Sequence, residues 1–284
     1  MQRYKCQKCG LQFQSKERPS RQRKVLWNQY VWGKQTLNQL SATFKKCVPV
    51  IQKELDGHVL EKHDVSPQPL VLIADVTFFG RSYGVLVFRS PLLKRNIYYK
   101  EITRENPEIY RQAKIELENK GFTIKAIVLD GKRGIREVFP DIPAQMCQFH
   151  QTAILKRYLT SRPKTEAGKE LRAIGLALKF LTEKDFLILL EEWYTRWKDF
   201  LKEKTFAADE KHWNHTHRRM RSAYRSLKTN TPFLFTYQKY PELKIPNTTN
   251  SLDGFFGKTK TLLRVHKGLT QERRYKIIQE ILEK

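Results

Sequence analysis

Apolar residues recur along this chain first at helical spacing, then in short continuous runs, then again at helical spacing. Between Arg21 and Leu55, Val25, Leu26 and Tyr30 keep a helical rhythm until Gly33 breaks it. Leu37 and Leu40 follow, and after Phe44 a further run passes through Val48, Val50, Ile51 and Leu55. This pattern predicts two short amphipathic helices joined by a tight turn over residues 21–57. Gly57, Pro67 and Pro69 mark residues 58–69 as a linker. The next block changes period. Leu70–Phe79, Tyr83–Phe88 and Ile97–Ile102 read as three strands separated by Gly80-Arg81-Ser82 and by the turn from Pro91 to Asn96. Asn106-Pro107 opens a helix with proline at its first position, Ile109, Ala113 and Leu117 form its buried stripe, and Gly121 closes it. Phe122–Leu129 is an unbroken apolar run, as expected of a central strand. A short helix at Ile135–Phe139 then leads to a fifth strand over Ala144–Phe149.

From residue 151 the helical period returns, in the stripes Leu171, Ile174, Leu178, Leu181 and Phe186, Leu189, Leu190, Trp193, with Ala223, Leu227, Phe233 and Phe235 suggesting a third. A last helix opens after Pro246 and carries Leu252, Phe255, Phe256, Leu262 and Leu263. The expected class is α/β. Three consecutive strands, a helix and a central strand are the order of a ribonuclease-H-like core, a mixed five-stranded sheet with helices. This core would occupy residues 70–150, be interrupted by an all-α insertion at 151–246, and be completed by the final helix in 247–284. Ahead of it stand a helix-turn-helix at 21–57 and, in 1–20, half of a zinc knuckle: Cys6-Gln7-Lys8-Cys9-Gly10. Zinc needs four ligands and no second Cys-x-x-Cys occurs, so Cys6 and Cys9 hold Zn²⁺ only if a cysteine pair precedes this Met.

Charge narrows the functional classes. Lys and Arg number 54 against 29 Asp and Glu, a net +25 spread from end to end. Such a field suits a polyanion, because each phosphate neutralised releases counterions. Double-stranded DNA is the expected partner, with Arg21, Arg23, Lys24, Lys45 and Lys46 around the helix-turn-helix. Lys132 and Arg133 lie in a basic turn, and Arg218 and Arg219 on a basic helical face. No run approaches a membrane span, no signal-peptide core opens the chain, and four cysteines make no disulfide framework. A cytoplasmic protein without membrane attachment is expected.

Against this basic background, Asp75 and Asp130 each stand at the edge of an apolar strand. A buried carboxylate must be hydrated, paired or metal-bound, because burying it bare costs several kcal/mol. They can converge only if the first and fourth strands are neighbours. Cys147 and His150, three apart on a strand, would face opposite sides and share no ligand. Asp253 near a helix start has a plain alternative role in complementing the helix dipole.

Taken in order, Asp75, Asp130, Cys147-x-x-His150 and Thr248-Thr249-Asn250-Ser251-Leu252-Asp253-Gly254 resemble the Mutator-like group of insertion-sequence transposases. The resemblance runs from about Leu70 to the C-terminus. The Arg3-Tyr4-Lys5-Cys6 segment and helix-turn-helix are similar to the end-binding region of related bacterial elements. It implies an acidic triad of Asp75, Asp130 and Asp253 holding two Mg²⁺ (or Mn²⁺) ions, with Asp75 bridging both. His150 would lie beside the site, contacting the scissile phosphate or orienting Asp130. It further implies strand cleavage and strand transfer at the inverted-repeat ends of an element, on DNA held by a homodimer or higher oligomer in a prokaryotic nucleoid. The family carries Glu where this chain has Asp253, one methylene shorter. Two alternatives follow: a decayed transposase that only binds DNA, and a ribonuclease-H-like nuclease selective for branched DNA.

Overall fold

The computed structural model describes residues 4–5, 7, 12–13, 21–61, 64–206 and 212–283. Cys6 and Cys9 lie outside the described residues. In chain order the elements are β1 (Tyr4–Lys5), β2 (Gln12–Phe13), α1 (Arg21–Val31), α2 (Leu37–Phe44), α3 (Val48–Asp56), β3 (Pro69–Phe78), β4 (Gly84–Ser90) and β5 (Arg95–Ile102). Next come α4 (Pro107–Asn119), β6 (Thr123–Leu129), β7 (Ala144–Met146), α5 (Gln148–Leu159), α6 (Glu166–Ala177) and α7 (Glu183–Lys202). The chain continues with β8 (Lys204–Phe206), β9 (Trp213–His215), α8 (Arg218–Leu234), α9 (Thr236–Lys239), α10 (Asn250–Val265) and α11 (Gln271–Leu282). Two compact units result, residues 65–255 and residues 1–64 with 256–284.

In the larger unit the sheet order is β5-β4-β3-β6-β7, with β4 antiparallel to both neighbours and β3, β6 and β7 parallel. The protein is therefore α/β with a five-stranded mixed sheet, compatible with the ribonuclease-H-like expectation. Asn106 caps α4 by accepting from the Ile109 N–H at 3.1 Å, and Pro107 follows at N1, where a missing N–H costs nothing. Tyr110, Ala113 and Leu117 then bury the helix against Leu72, Phe88 and Ile127 of the sheet. The helices after β7 build a second core around Leu171, Phe186, Trp193, Leu227 and Phe235, and the Trp193 indole donates to the Ala167 carbonyl at 2.9 Å. That bond satisfies the one polar atom of an otherwise apolar side chain. No helix of the described residues is long and apolar enough to cross a membrane.

In the smaller unit residues 21–57 form three helices where two were expected, because Thr36 and Gln39 close a capping box that starts α2 and Pro49 starts α3 just after Cys47. Arg273 of α11, only 4% exposed, forks onto both oxygens of Asp56 at 2.8 Å.

Three further expectations change. The fifth strand ends at Met146, not Phe149: the Cys147 N–H makes the last sheet-like bond, to Leu129, and the Gln148 N–H turns to the Asn247 carbonyl at 2.9 Å. The short helix expected at 135–139 is present, as a 3-10 helix over Arg136–Val138. The basic stretch 212–219 is a strand, Trp213–His215, before it becomes helix at Arg218. The C-terminal segment is two helices, α10 and α11, separated by Gly268 at φ +67°.

Candidate metal centre

Asp75 lies within β3 and is 9% exposed. β3 and β6 pair at an offset of 54 residues at Leu70–Ile124 and, after a bulge, at 55 from Val71–Ala126 through Ile73–Val128. The pairing ends at Ile73–Val128 and β6 at Leu129; the later offset, extended two residues, would set Asp130 level with Asp75 (128 − 73 = 130 − 75). Without the bulge Asp75 would stand opposite Leu129, because a one-residue slip reverses every side chain.

The third and fourth groups arrive on helices. With Cys147 just before α5 and its carbonyl accepting from Gln151, His150 falls in the helix's first turn. The expectation of opposite faces for Cys147 and His150 is thereby overturned, since residues three apart on a helix share a side. Asp253 lies in the first turn of α10. Asp75, His150 and Asp253 bring one donor atom each to within 4.8 Å of one another. Asp130 is not part of that group, yet its charge raises the Asp75 carboxyl. The charges of Asp75 and Asp253 act on His150, which stands with them.

Thr249, fully buried, ties these parts together and was missed as a site residue. Its hydroxyl donates to Asp253 Oδ2 at 2.9 Å and lies 3.3 Å from Cys147 Sγ and 3.4 Å from His150 Nδ1. Its N–H donates to Cys147 Sγ at 3.3 Å. A hydroxyl has one proton to give, so with that proton on Asp253 it accepts from its other neighbours. The signal was in view: the Thr-Thr-Asn run before the third acid.

Each carboxylate has one oxygen set by a neutral donor. Asp75 Oδ1 accepts from the Val76 N–H and Asp130 Oδ1 from the Lys132 N–H, both at 2.8 Å, and Asp253 Oδ2 takes the Thr249 hydroxyl. The other oxygen of each has no hydrogen-bond partner among the described residues, and no Lys or Arg forms an ion pair with any of the three. Burial pushes the Asp75 carboxyl up to about 7, with Asp130 and Asp253 adding to the rise and the Val76 N–H and His150 opposing it. The hydrogen bond to Cys147 outweighs burial and, with the charges of Cys147, Asp75 and Asp253, lifts His150 to about 9. The Cys147 thiol is pushed up by burial, but its bonds with His150 and Thr249 bring it down overall. Two carboxylate oxygens and one imidazole nitrogen form a donor set that suits Mn²⁺ or Zn²⁺ as well as Mg²⁺, which prefers oxygen throughout.

The residues expected to hold DNA fare unevenly. Lys24 pairs with Glu61, Lys46 with Glu54 and Lys132 with Glu105, each at 2.7 Å. Lys45 ends α2 at φ 52°, and Arg23 lies beside Gly57. The Arg21 backbone opens α1, but its side chain lies outside the described residues. Arg218 donates to Asn214 at 3.4 Å and Arg219 to the Arg157 carbonyl, while Arg133 stays exposed.

No known protein family and no curated protein matches the chain. Among solved structures it is similar to a chain of the cryo-electron-microscopy structure of the simian T-cell lymphotropic virus intasome in complex with PP2A regulatory subunit B56 gamma. The identity is 7%, over 71% of this chain and 68% of that one, with a TM-score of 0.23. A likeness that weak carries no weight for fold or function.

Proposed function

We propose that the chain is a divalent-metal-dependent DNA transposase with a ribonuclease-H-like core, cutting strands at element ends and joining them to target DNA. One observation supports this above all: in a chain of net charge +25, Asp75, Asp130 and Asp253 form no ion pair with any described Lys or Arg, and the one cationic group set among them is the His150 imidazole. Their free oxygens suit bound cations from solution. Asp75 and Asp253, with His150, would hold one ion, and Asp130, level with Asp75 on the extended register, would help hold a second. Divalent ions there would activate the attacking water or 3′-hydroxyl and steady the leaving oxygen. Thr249 fixes one oxygen of Asp253 so that the other is presented to the site. Asp253 meets its partners despite lacking the methylene of the Glu in the family it resembles, which favours an active enzyme over a decayed copy.

The test is cleavage of DNA carrying the sequences that flank the reading frame, with Mg²⁺ or Mn²⁺. Asp75→Asn and Asp253→Asn should each lose about a thousandfold or more in cutting and joining, as expected when several kcal/mol of transition-state stabilisation are lost, while DNA binding persists. Undiminished cutting by either variant overturns the proposal. Binding without cutting by the wild-type protein identifies the decayed form.

A further inference from the structure

A cavity of about 320 Å³ opens beside the loop that follows Asp130, separate from the Asp75, His150 and Asp253 group. Leu129, Ala144 and Met146 give it an apolar floor, and Lys132, Arg133, Arg136, Asn230 and the one carboxylate of the lining, Glu137, give it polar walls. Its loop turns at Gly131 and Gly134, both at positive φ, where Gly131 is pressed against the Met146 side chain. The Gln145 wall is rigid: this buried amide donates to the Met146 and Leu234 carbonyls and accepts from the Tyr237 N–H.

Two features of the lining are unspent. The Arg136 guanidinium lies 3.5 Å from the centroid of the Phe233 ring, half-buried, yet neither it nor Arg133 makes a hydrogen bond or ion pair with a described residue. Asn230 uses its amide nitrogen on Gln151, at 2.8 Å, and leaves Oδ1 without a partner. A stacked guanidinium holds its fork of donors in place at small entropic cost, and such forks match phosphate oxygens. An apolar floor with one free amide acceptor matches the face and exocyclic amine of a base. The volume stands at the lower end of ligand pockets, about 300–1,000 Å³.

We propose that this cavity seats one nucleotide, its phosphate on Arg133 and Arg136 and its base over Leu129 and Met146. The nucleotide is either an unpaired residue of the DNA strand or a free mononucleotide. The first source rests on the proposed action on DNA; the second does not.

The test measures fluorescence anisotropy of the full chain with a labelled duplex containing one unpaired adenosine, against the fully paired duplex. Wild-type protein should prefer the unpaired duplex by about tenfold. Arg136→Ala removes the fork, and Thr229→Trp, at an exposed lining position of α8, fills the space; both should abolish the preference while paired duplex still binds. Competition by dAMP that these variants lose, without a preference between duplexes, assigns the cavity to free nucleotide. Equal competition by inorganic phosphate overturns the base-binding part. Absence of both duplex preference and dAMP competition, or their persistence in both variants, overturns the whole. Metal-dependent cutting of paired duplex is read separately. If it survives such a result, the transposase proposal stands and only the cavity assignment falls.

Discussion

Asp56 and Asp75 show two ways in which this chain treats a carboxylate. In the smaller unit, Asp56 at the end of α3 receives both donors of a nearly buried Arg273 at 2.8 Å. In the larger unit, Asp75 is itself buried, 9% exposed, and the nearest donor supplied to it is one backbone N–H. Where the fold needs a charge neutralised it has 54 basic side chains to draw on. Among the described residues none of these side chains forms an ion pair with Asp75, Asp130 or Asp253, so on the proposed function their remaining counter-charge would come from bound cations.

The largest effect should come from Asp75. Its rise from 3.8 to about 7 is equivalent, at about 1.4 kcal/mol per pH unit, to about 4 kcal/mol. Because the folded value lies above the unfolded one, this contribution is complete below about pH 4 and is lost as pH rises through 7. Metal-free wild-type protein should therefore lose stability over that window relative to Asp75→Asn. In denaturant melts the variant should be the more stable above pH 7 and indistinguishable near pH 4. Equal pH profiles would remove the contrast with Asp56.

Breaking the other carboxylate should act in the opposite direction. Asp56→Ala strands a nearly buried guanidinium, a change that costs about 3 kcal/mol or more. Arg273→Met should cost less, because the Asp56 side chain it leaves is 54% exposed and can hydrate. Chemical denaturation of the two variants measures the asymmetry. The smallest effect belongs to Thr249→Val, which removes the Asp253 hydrogen bond for about 1 kcal/mol of stability. Because it frees Asp253 to turn, titration with Mn²⁺ should show weakened binding that exceeds this stability loss in proportion. Unchanged affinity would deny Thr249 its orienting role.

How much of this was legible beforehand differs by element. The strands around Asp75 and Asp130 were, to within a residue or two, because continuous apolar runs report burial locally. Helix α4 was legible for the same reason, through Asn106, Pro107 and its stripe. The start of α5 was not. Ala144–Phe149 reads as one apolar strand, and what ends it at Met146 is the carbonyl of Asn247, a hundred residues downstream, receiving the Gln148 N–H. Thr249 and Arg136 do not stand out in the sequence, because a threonine near a helix start and an arginine in a short helix are ordinary until their partners are known.

By itself the sequence determined the first four strands of the sheet and helix α4, the basic field, and which carboxylates are candidates, since spacing, apolarity and charge are properties of residues near one another in the chain. Only the tertiary structure decided that a register shift sets the β3–β6 pairing at the 55-residue offset that separates Asp75 from Asp130. It also moved His150 onto a helix beside Asp75 and Asp253, and left those carboxylates without an ion pair to any described Lys or Arg. Register and pairing are settled between segments that meet only after folding, so no local pattern carries them.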